Sequence, residues 1–193
     1  PDSTFETLEK CDAWILGPHD SVSYPAALRE KLNPSGELRR RFDLYANIRP
    51  ARAYPGLRAV SPKMDLVIVR ENTEGFYADR NMAWGVGEVM PTPGVALTLG
   101  KFTRHAAERI ARTAFALARQ RRKKVTIVHK ANVIQKAYGL FRDTCYEVGR
   151  AYPDVLVDDY HIDAMAAHLV RRGEEFDVVV TTNMFGDILS DES

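Results

Sequence analysis

The sequence is poor in cysteine and has no strong excess of either charge. Its two cysteines among 193 residues, Cys11 and Cys145, stand far apart. This excludes a disulfide framework or a cysteine-rich zinc site as the basis of the fold, and we expect reduced core thiols, with a single disulfide as the open alternative. Lysine and arginine number 27 against 26 acidic residues. The balance excludes the general basic character that favours nucleic acid or a membrane surface as a partner.

Long apolar runs are absent as well. No stretch is long enough to cross a bilayer, and no leader pattern is present, so we expect a cytoplasmic protein. Hydrophobic residues make up 45% and charged residues 27% of the chain, which is the composition of a globular protein. The chain does not begin with methionine, and a helix opening near Asp187 would have only about two turns before the last residue. We therefore expect an internal piece of a longer protein.

Apolar, β-branched runs alternate with segments of helical length. This alternation predicts an α/β fold with a mixed, largely parallel sheet flanked by helices. The predicted strands cover residues 12–16, 65–69, 125–128, 155–157 and 177–181. Their nearly unbroken apolar character favours burial on both faces. The predicted helices cover residues 103–121, capped by Thr103, residues 134–150, and residues 162–172, which Gly173 would stop.

Residues 78–100, ADRNMAWGVGEVMPTPGVALTLG, lack a helical period and contain glycine, proline and alternating apolar residues. The pattern predicts an extended β arm or hairpin. Protruding hairpins often pair with a second subunit, so we expect this arm to serve dimerisation.

Two aspartates four positions apart, Asp187 and Asp191, follow the last predicted strand. On a helix they share one face, and paired carboxylates suit a hard divalent cation such as Mg²⁺ or Mn²⁺. The alternative is an N-terminal cap at Asp187 and a solvated first-turn acid at Asp191. Asp163 also follows a predicted strand and is the candidate third ligand, because parallel strands deliver their loops to one edge. Its nearest competitors are Asp158 and Asp159.

Three arginines, Arg39, Arg49 and Arg70, flank predicted turns or strand ends. Aimed at one cavity, their guanidinium groups would hold a small di- or tricarboxylate. The alternative is a solvated basic turn around Arg39, with Arg49 and Arg70 in separate salt bridges. Tyr77 and Lys130 are candidate proton-transfer groups, since a nearby cation lowers the pKa of both side chains. For Lys130 the alternative is a solvated surface residue.

Five motifs in this order resemble the metal-dependent β-decarboxylating dehydrogenases, which act on isocitrate, 3-isopropylmalate, D-malate and tartrate. The motifs are LRRRFDLYANIRPAR, DLVIVRENTEGFY, VHKANV, HIDAMAAHLV and NMFGDILSD. The resemblance covers nearly the whole chain and implies the fold of isocitrate and isopropylmalate dehydrogenases. It implies an NAD-dependent oxidation and decarboxylation of a 2-hydroxy dicarboxylic acid.

The resemblance also implies a role for each candidate residue. Arg39, Arg49 and Arg70 would bind the substrate carboxylates, Tyr77 and Lys130 would be catalytic, Asn132 would lie near the nicotinamide ribose, and Asp163, Asp187 and Asp191 would bind Mg²⁺ or Mn²⁺. In this family the lysine and the first aspartate reach into a neighbour's site. A homodimer with shared active sites is therefore expected, with no nucleic acid or membrane partner.

Some features depart from the family pattern, because the segments that bind most of the cofactor are missing. We interpret residues 1–44 as a remnant of the cofactor-binding domain and residues 45–193 as the small central and dimerisation domain, and expect this chain alone to be inactive. The run ENTEGFYADRN and the arginine-rich turn favour tartrate or D-malate as substrate. Isopropylmalate or isocitrate dehydrogenase, or a non-catalytic dimerisation or regulatory subunit, are the alternatives.

Overall fold

A mixed β-sheet with helices on both faces organises most of the chain. The computed structural model describes residues 2–18, 20, 23–29, 34–77, 82 and 87–193. The strands in chain order are β1 (Ala46–Arg52), β2 (Asp65–Glu71), β3 (Glu88–Thr92), β4 (Val95–Thr98), β5 (Lys124–His129), β6 (Leu156–His161) and β7 (Val178–Thr181). The helices are α1 (Asp2–Leu8), α2 (Ala26–Arg29), α3 (Pro34–Arg41), α4 (Arg104–Arg119), α5 (Gln135–Gly149), α6 (Ile162–Arg172) and α7 (Asn183–Glu192).

The main sheet has the strand order β1-β2-β7-β5-β6. The β2-β7, β7-β5 and β5-β6 pairs are parallel, and β1 is antiparallel to β2. The predicted mixed, largely parallel sheet is therefore confirmed. Because the four parallel strands point the same way, the segments that follow them all begin at one edge of the sheet.

Alternate residues of the central strands fill two cores, one on each face. Helices α4 and α5 cover one face, and α6 and α7 cover the other. Thr103 caps α4 by accepting a hydrogen bond from the Ala106 N–H. The apolar residues at helical spacing in α4 are all buried: Ala107, Ile110, Ala111, Ala114, Phe115 and Ala118. A large, fully buried side chain such as Ile110 or Phe115 contributes about 1.5–3 kcal/mol to the stability of the fold. The helical spacing of apolar residues therefore correctly predicts which face of α4 packs on the sheet.

The two edge strands depart from the sequence predictions. Strand β1 is not predicted, because its sequence, ANIRPAR, is polar and contains Pro50. Proline is tolerated at a sheet edge, where its missing N–H leaves no ladder bond unpaired. Strand β6 exists, but its predicted burial on both faces is wrong, since Leu156 is 73% exposed. An edge strand has a neighbour on only one side and is less completely covered.

The predicted hairpin is confirmed where residues 78–100 are described, whereas residues 78–81 and 83–86 lie outside the described residues. Strands β3 and β4 pair antiparallel in their own two-stranded sheet, and their residues are exposed. Pro93 and Gly94 connect them, and the φ of Gly94, 80°, suits the third position of a type II turn. Dimerisation through this arm stays a prediction.

The chain divides into two units, residues 1–35 and residues 36–193. In the first unit the strand predicted at residues 12–16 is wrong, because this segment has no regular structure. Ile15 is 99% exposed, so its side chain does not pack in a core. Both cysteines are free, and Cys145 is buried as predicted, while Cys11 is exposed rather than a core thiol. No helix in the described ranges is both long and apolar enough to span a membrane.

Candidate functional site

Arg70, near the end of β2, is the buried centre of a polar cluster. Its side chain is 2% exposed, and its Nε and Nη2 donate hydrogen bonds to Asn183 Oδ1 at 3.0 and 2.7 Å. Its Nη1 donates to Asp187 Oδ1. Burial lowers the pKa of Arg70, and the Asp187 carboxylate opposes that effect. One guanidinium thus joins the end of β2 to α7.

A glycine makes this contact possible. A Cβ atom at Gly186 would lie 2.5 Å from Arg70 Cγ and 2.6 Å from Arg70 Cβ, well inside van der Waals contact. Helix α7 can therefore cross Arg70 closely only because residue 186 has no side chain.

Arg49, on β1, brings the second aspartate into the same cluster. Its Nη1 donates to Ser190 Oγ at 2.6 Å. Its guanidinium also lies 3.7 Å from Asp187 Oδ1 and 3.6 Å from Asp191 Oδ1. The cluster therefore holds two guanidinium groups and two carboxylates at the end of β2 and along one face of α7.

The position of these aspartates in their helix excludes one sequence interpretation. Helix α7 begins at Asn183, with Thr182 as its N-cap residue. Asp187 is consequently in the second turn, so the alternative that it caps the helix is wrong. Asp191 is one turn further on and is 82% exposed, which leaves its oxygens accessible.

Arg39 and Tyr77 line a cavity of about 110 Å³ together with Asn72 and Arg109. Hydrogen bonds join this cavity to Arg49: Arg49 Nε donates to Asn47 Oδ1 at 3.2 Å, and Asn47 Nδ2 donates to Asn72 Oδ1 at 3.4 Å. The structure therefore places Arg39 and Tyr77 in one pocket that is connected to the cluster of Arg49 and Arg70.

Lys130 and Asp163 form a second cluster, at the ends of β5 and β6. Lys130 Nζ donates to Asp163 Oδ1, and Lys130 lowers the pKa of this carboxyl. The neighbouring His129 is buried, and its Nδ1 accepts a hydrogen bond from the Ala131 N–H at 3.0 Å, which fixes the turn that follows β5. Asn132, the predicted cofactor contact, lies exposed in this turn.

The competing acids on β6 have other partners. Asp158 accepts a hydrogen bond from Thr126 Oγ1 at 2.6 Å and lies 2.9 Å from Lys124 Nζ. Asp159 forms hydrogen bonds with His129 Nε2 at 2.8 Å and with the Tyr146 hydroxyl, which donates at 2.5 Å. Both carboxylates are hydrogen-bonded within the sheet or to α5, whereas Asp163 lies in the first turn of α6 with its side chain 69% exposed, so Asp163 is the better candidate ligand.

The carboxylates on α7 suit a hard divalent cation, because Mg²⁺ and Mn²⁺ take oxygen donors from one or two carboxylates together with water and substrate. Within the described part of the chain, no group of three or more His, Cys, Asp or Glu side chains is arranged to hold a metal. Asp163 pairs with Lys130, so the three predicted ligands do not meet inside one chain. Asp187 and Asp191 supply two of the three predicted donors on one face of α7.

On α7, three residues that contact the two arginines are not among the sequence predictions. Asn183 orients Arg70, Ser190 accepts from Arg49, and Gly186 makes room for Arg70. A glycine inside a helix is unfavourable unless packing requires it, so the run NMFGDILSD contained a signal for Gly186. Asn183 and Ser190 carry no such signal, because their role depends on where β1 and β2 lie.

Known proteins with similar sequences give this arrangement a context. The 3-isopropylmalate dehydrogenase of Archaeoglobus fulgidus is 46% identical over 192 residues, covering 99% of this chain and 54% of that protein. The 3-isopropylmalate/3-methylmalate dehydrogenase of Methanocaldococcus jannaschii is 42% identical over 196 residues, with 99% and 54% coverage. The chain thus spans about half the length of these relatives.

The fold has counterparts among solved structures. The isocitrate dehydrogenase of Methylococcus capsulatus matches with a TM-score of 0.82 at 36% identity, covering 100% of this chain and 55% of that one. A protein of Thermus thermophilus matches with a TM-score of 0.86 at 39% identity, covering 100% and 37%. The family described as isocitrate/isopropylmalate dehydrogenase matches residues 1–193. The chain therefore belongs to the isocitrate/isopropylmalate dehydrogenase family.

Proposed function

We propose that the whole protein containing this chain is a decarboxylating dehydrogenase that requires NAD and Mg²⁺ or Mn²⁺ and acts on a 2-hydroxy dicarboxylic acid of the 3-isopropylmalate type. The observation that carries the proposal is the cluster of Arg49, Arg70, Asp187 and Asp191. It combines cations that bind carboxylates with oxygen donors that bind a divalent metal, within ion-pair distance of each other.

Each residue has a task in this proposal. Arg49 and Arg70 would clamp the acid's carboxylates, Arg70 in an orientation that Asn183 already sets. Arg39 and Tyr77 would contact the acid from the neighbouring cavity. Bound Mg²⁺ or Mn²⁺ would supply stabilisation of negative charge on oxygen, and bound NAD would supply the acceptor for a hydride. Tyr77 would return a proton to carbon after CO₂ leaves.

Lys130 and Asp163 would act from a second copy of the chain. In this chain they form a pair apart from the Arg49 and Arg70 cluster. We propose that Lys130 takes the hydroxyl proton of the substrate and that Asp163 completes the donor set of Asp187 and Asp191. Asn132 is proposed to lie near the nicotinamide ribose.

The relatives support an alkyl-substituted malate rather than the tartrate or D-malate that the sequence motifs favoured. Both curated relatives described above have names that include 3-isopropylmalate. For the choice of substrate, these relatives therefore count for more than the resemblance of ENTEGFYADRN to tartrate and D-malate enzymes. Isocitrate is the second candidate, because a solved isocitrate dehydrogenase shares the fold at 36% identity.

The test is reduction of NAD by the purified whole protein with four acids: 3-isopropylmalate, isocitrate, D-malate and tartrate. We expect turnover with 3-isopropylmalate to be fastest, to require Mg²⁺ or Mn²⁺, and to stop on addition of a chelator. Turnover that survives complete metal removal would contradict the proposal, and faster turnover of tartrate would contradict the substrate assignment.

A matched pair of variants distinguishes the loss of a site carboxylate from the loss of a carboxylate elsewhere on the surface. Asp187→Asn should lower turnover by at least about a thousandfold, because the metal loses a ligand and Arg70 loses its partner. Asp154→Asn is the control: it also removes a carboxylate paired with an arginine, but that arginine, Arg119, is the last residue of α4. Equal turnover in the two variants would exclude Asp187 from the site.

A further inference from the structure

Arg109, on α4, contacts two segments of the chain, residues 43–45 and the loop that contains Thr73. Its Nη1 donates to Asp43 Oδ2 at 2.6 Å and its Nη2 donates to Thr73 Oγ1 at 3.0 Å. Its guanidinium carbon also lies 4.6 Å from the centre of the Tyr45 ring. Arg109 lines the same cavity as Arg39 and Tyr77 but is not among the residues that the sequence motifs single out.

Both contacted segments adjoin residues of the proposed substrate site. Asp43 is in the turn that ends α3, where the Leu44 N–H donates to the Arg39 carbonyl at 2.9 Å. Tyr45 directly precedes β1, which carries Arg49. Thr73 belongs to the loop between Arg70 and Tyr77.

These contacts extend inward through the backbone. The Asn72 N–H donates to the Tyr45 carbonyl at 3.0 Å, and Asn72 Nδ2 donates to the Leu44 carbonyl at 2.9 Å. The two segments that Arg109 contacts are therefore also joined to each other by these hydrogen bonds. A shift of the Asp43 turn would move Arg39, Tyr45 and Asn72 together.

We propose that Arg109 is a positioning residue that sets the spacing of Arg39, Arg49 and Tyr77 around the substrate. Its planar guanidinium can satisfy Asp43 and Thr73 at once while stacking on Tyr45, which a lysine ammonium cannot do. The inference rests on the proposed function, since it assigns those three residues to one ligand. A displacement of about 1 Å in such groups can lower kcat/KM by up to about a hundredfold.

Arg119 is a natural control on the same helix. It forms an ion pair with Asp154 at 2.6 Å, and its guanidinium carbon lies 4.6 Å from the Tyr152 ring centre, the same pair of contacts that Arg109 makes. Ten residues of helix, about 15 Å, separate the two arginines. Arg121, just beyond Arg119, pairs with Asp65 and Asp177 at the starting ends of β2 and β7. Arg119 thus lies toward the opposite edge of the sheet from the cavity.

The experiment compares Arg109→Met with Arg119→Met in the whole protein. We expect both variants to lower the melting temperature, because each loses one ion pair and one aromatic contact. Only Arg109→Met should raise the KM for 3-isopropylmalate, by about tenfold or more, and weaken its binding in calorimetry by the same factor, with a smaller change in kcat. Arg109→Lys should be intermediate.

Asp43→Asn is a second variant that tests the same ion pair with little risk of unfolding the protein. Asp43 has a left-handed φ of 45°, which asparagine also adopts readily, so this variant removes the ion pair and keeps the turn. Asp43→Asn should also raise the KM. The double variant with Arg109→Met should raise the KM by less than the product of the two single effects, because both substitutions break the same ion pair. A KM and an affinity in Arg109→Met equal to those of Arg119→Met would overturn the inference. A wild type that neither binds nor oxidises any of the four acids would instead contradict the proposed function, and this role with it.

Discussion

Glu74 is a buried carboxylate that ties the loop after β2 to the start of α4. The Thr103 N–H donates to its Oε1 at 2.7 Å and the Thr103 hydroxyl donates to its Oε2 at 2.9 Å. Burial raises the pKa of Glu74 to about 7, although the hydrogen bonds from Thr103 oppose this, and the nearby Glu71 adds to the rise. Glu74 therefore titrates near neutral pH inside the fold.

The raised pKa gives stability a defined pH dependence. Between pH 4.5 and about 7 the folded protein binds more protons at Glu74 than the unfolded chain does, so the contribution of this group is full below pH 4.5 and is lost as pH rises to about 7. The loss is on the order of 3 kcal/mol. Glu74→Gln should flatten this part of the profile, measured by urea unfolding at pH 5 and pH 8.

An exposed glutamate is the control for that measurement. Glu147 pairs with Arg104 on the surface, and Glu147→Gln makes the same chemical change at an exposed site, so the Glu74→Gln profile is compared with both this variant and the wild type. A Glu74→Gln profile parallel to that of the wild type would show that Glu74 does not titrate in this range.

Gly186 allows a second prediction at the level of one residue. In a helix interior alanine is favoured over glycine by about 0.8–1.0 kcal/mol, so most such substitutions stabilise. Gly186→Ala should instead destabilise the protein by about 1–3 kcal/mol, because its Cβ would lie 2.5 Å from Arg70 Cγ. It should also weaken substrate binding by displacing Arg70, as measured by thermal unfolding and calorimetry.

Gly139, inside α5, is the matched control. An added Cβ there meets nothing within 4 Å, so Gly139→Ala should be neutral or stabilising by up to about 1 kcal/mol. Equal effects of the two substitutions would mean that Arg70 adapts without cost.

At the scale of secondary structure, periodic segments can be predicted from sequence and edge segments cannot. The apolar positions of α4 repeat at helical spacing, so burial and helix follow from the same pattern. Strand β1 is held by pairing with β2, in which Arg49 is opposite Ile68 and Asn47 opposite Arg70. Its own residues, two arginines and a proline among them, contain no strand signal. The tertiary partner decides its conformation.

The same limit applies to the site. The spacing of Asp187 and Asp191 predicts that they share a helix face, and both come within ion-pair distance of Arg49. Their helix begins four residues earlier than expected, at Asn183. The pairing of Arg49 with Ser190 depends on β1 lying beside β2, which no local pattern in either segment indicates.

The charges that α7 shares with β1 and β2 predict that metal and acid bind cooperatively. Arg49 and Arg70 weaken binding of the metal cation alone by repulsion, and Asp187 and Asp191 likewise weaken binding of the acid alone. When both ligands are bound, each charge has an opposite charge beside it. In the whole protein, saturating 3-isopropylmalate should tighten Mn²⁺ binding by about tenfold or more, and Mn²⁺ should tighten binding of the acid by the same factor. Electron paramagnetic resonance titration of Mn²⁺ measures the first effect and calorimetry the second.

Independent binding of the two ligands would contradict this charge balance. Arg49→Met tests its origin: the variant should bind Mn²⁺ alone more tightly than the wild type, because one opposing cation is gone, and should bind the acid more weakly. Arg104→Met, which removes an exposed arginine paired with Glu147, should change neither affinity.

At the scale of the whole molecule, the candidate residues form two clusters that share one sheet edge. Arg70 lies near the end of β2, and Lys130 and Asp163 follow β5 and β6, with β7 between β2 and β5. The common direction of these strands is predicted from sequence. The division into clusters is not, because side-chain pairing such as that of Lys130 with Asp163 depends on strand order.

If Lys130 and Asp163 serve a neighbouring chain, two inactive variants should restore activity when mixed. A dimer of one Lys130→Met chain and one Asp187→Asn chain has one site with both defects and one site with neither. Refolding or co-expressing equal amounts should give half mixed dimers and therefore about a quarter of wild-type turnover. Each variant alone should have almost none. If Lys130 acts within its own chain, every site in the mixture keeps one defect, and activity stays at the level of the single variants.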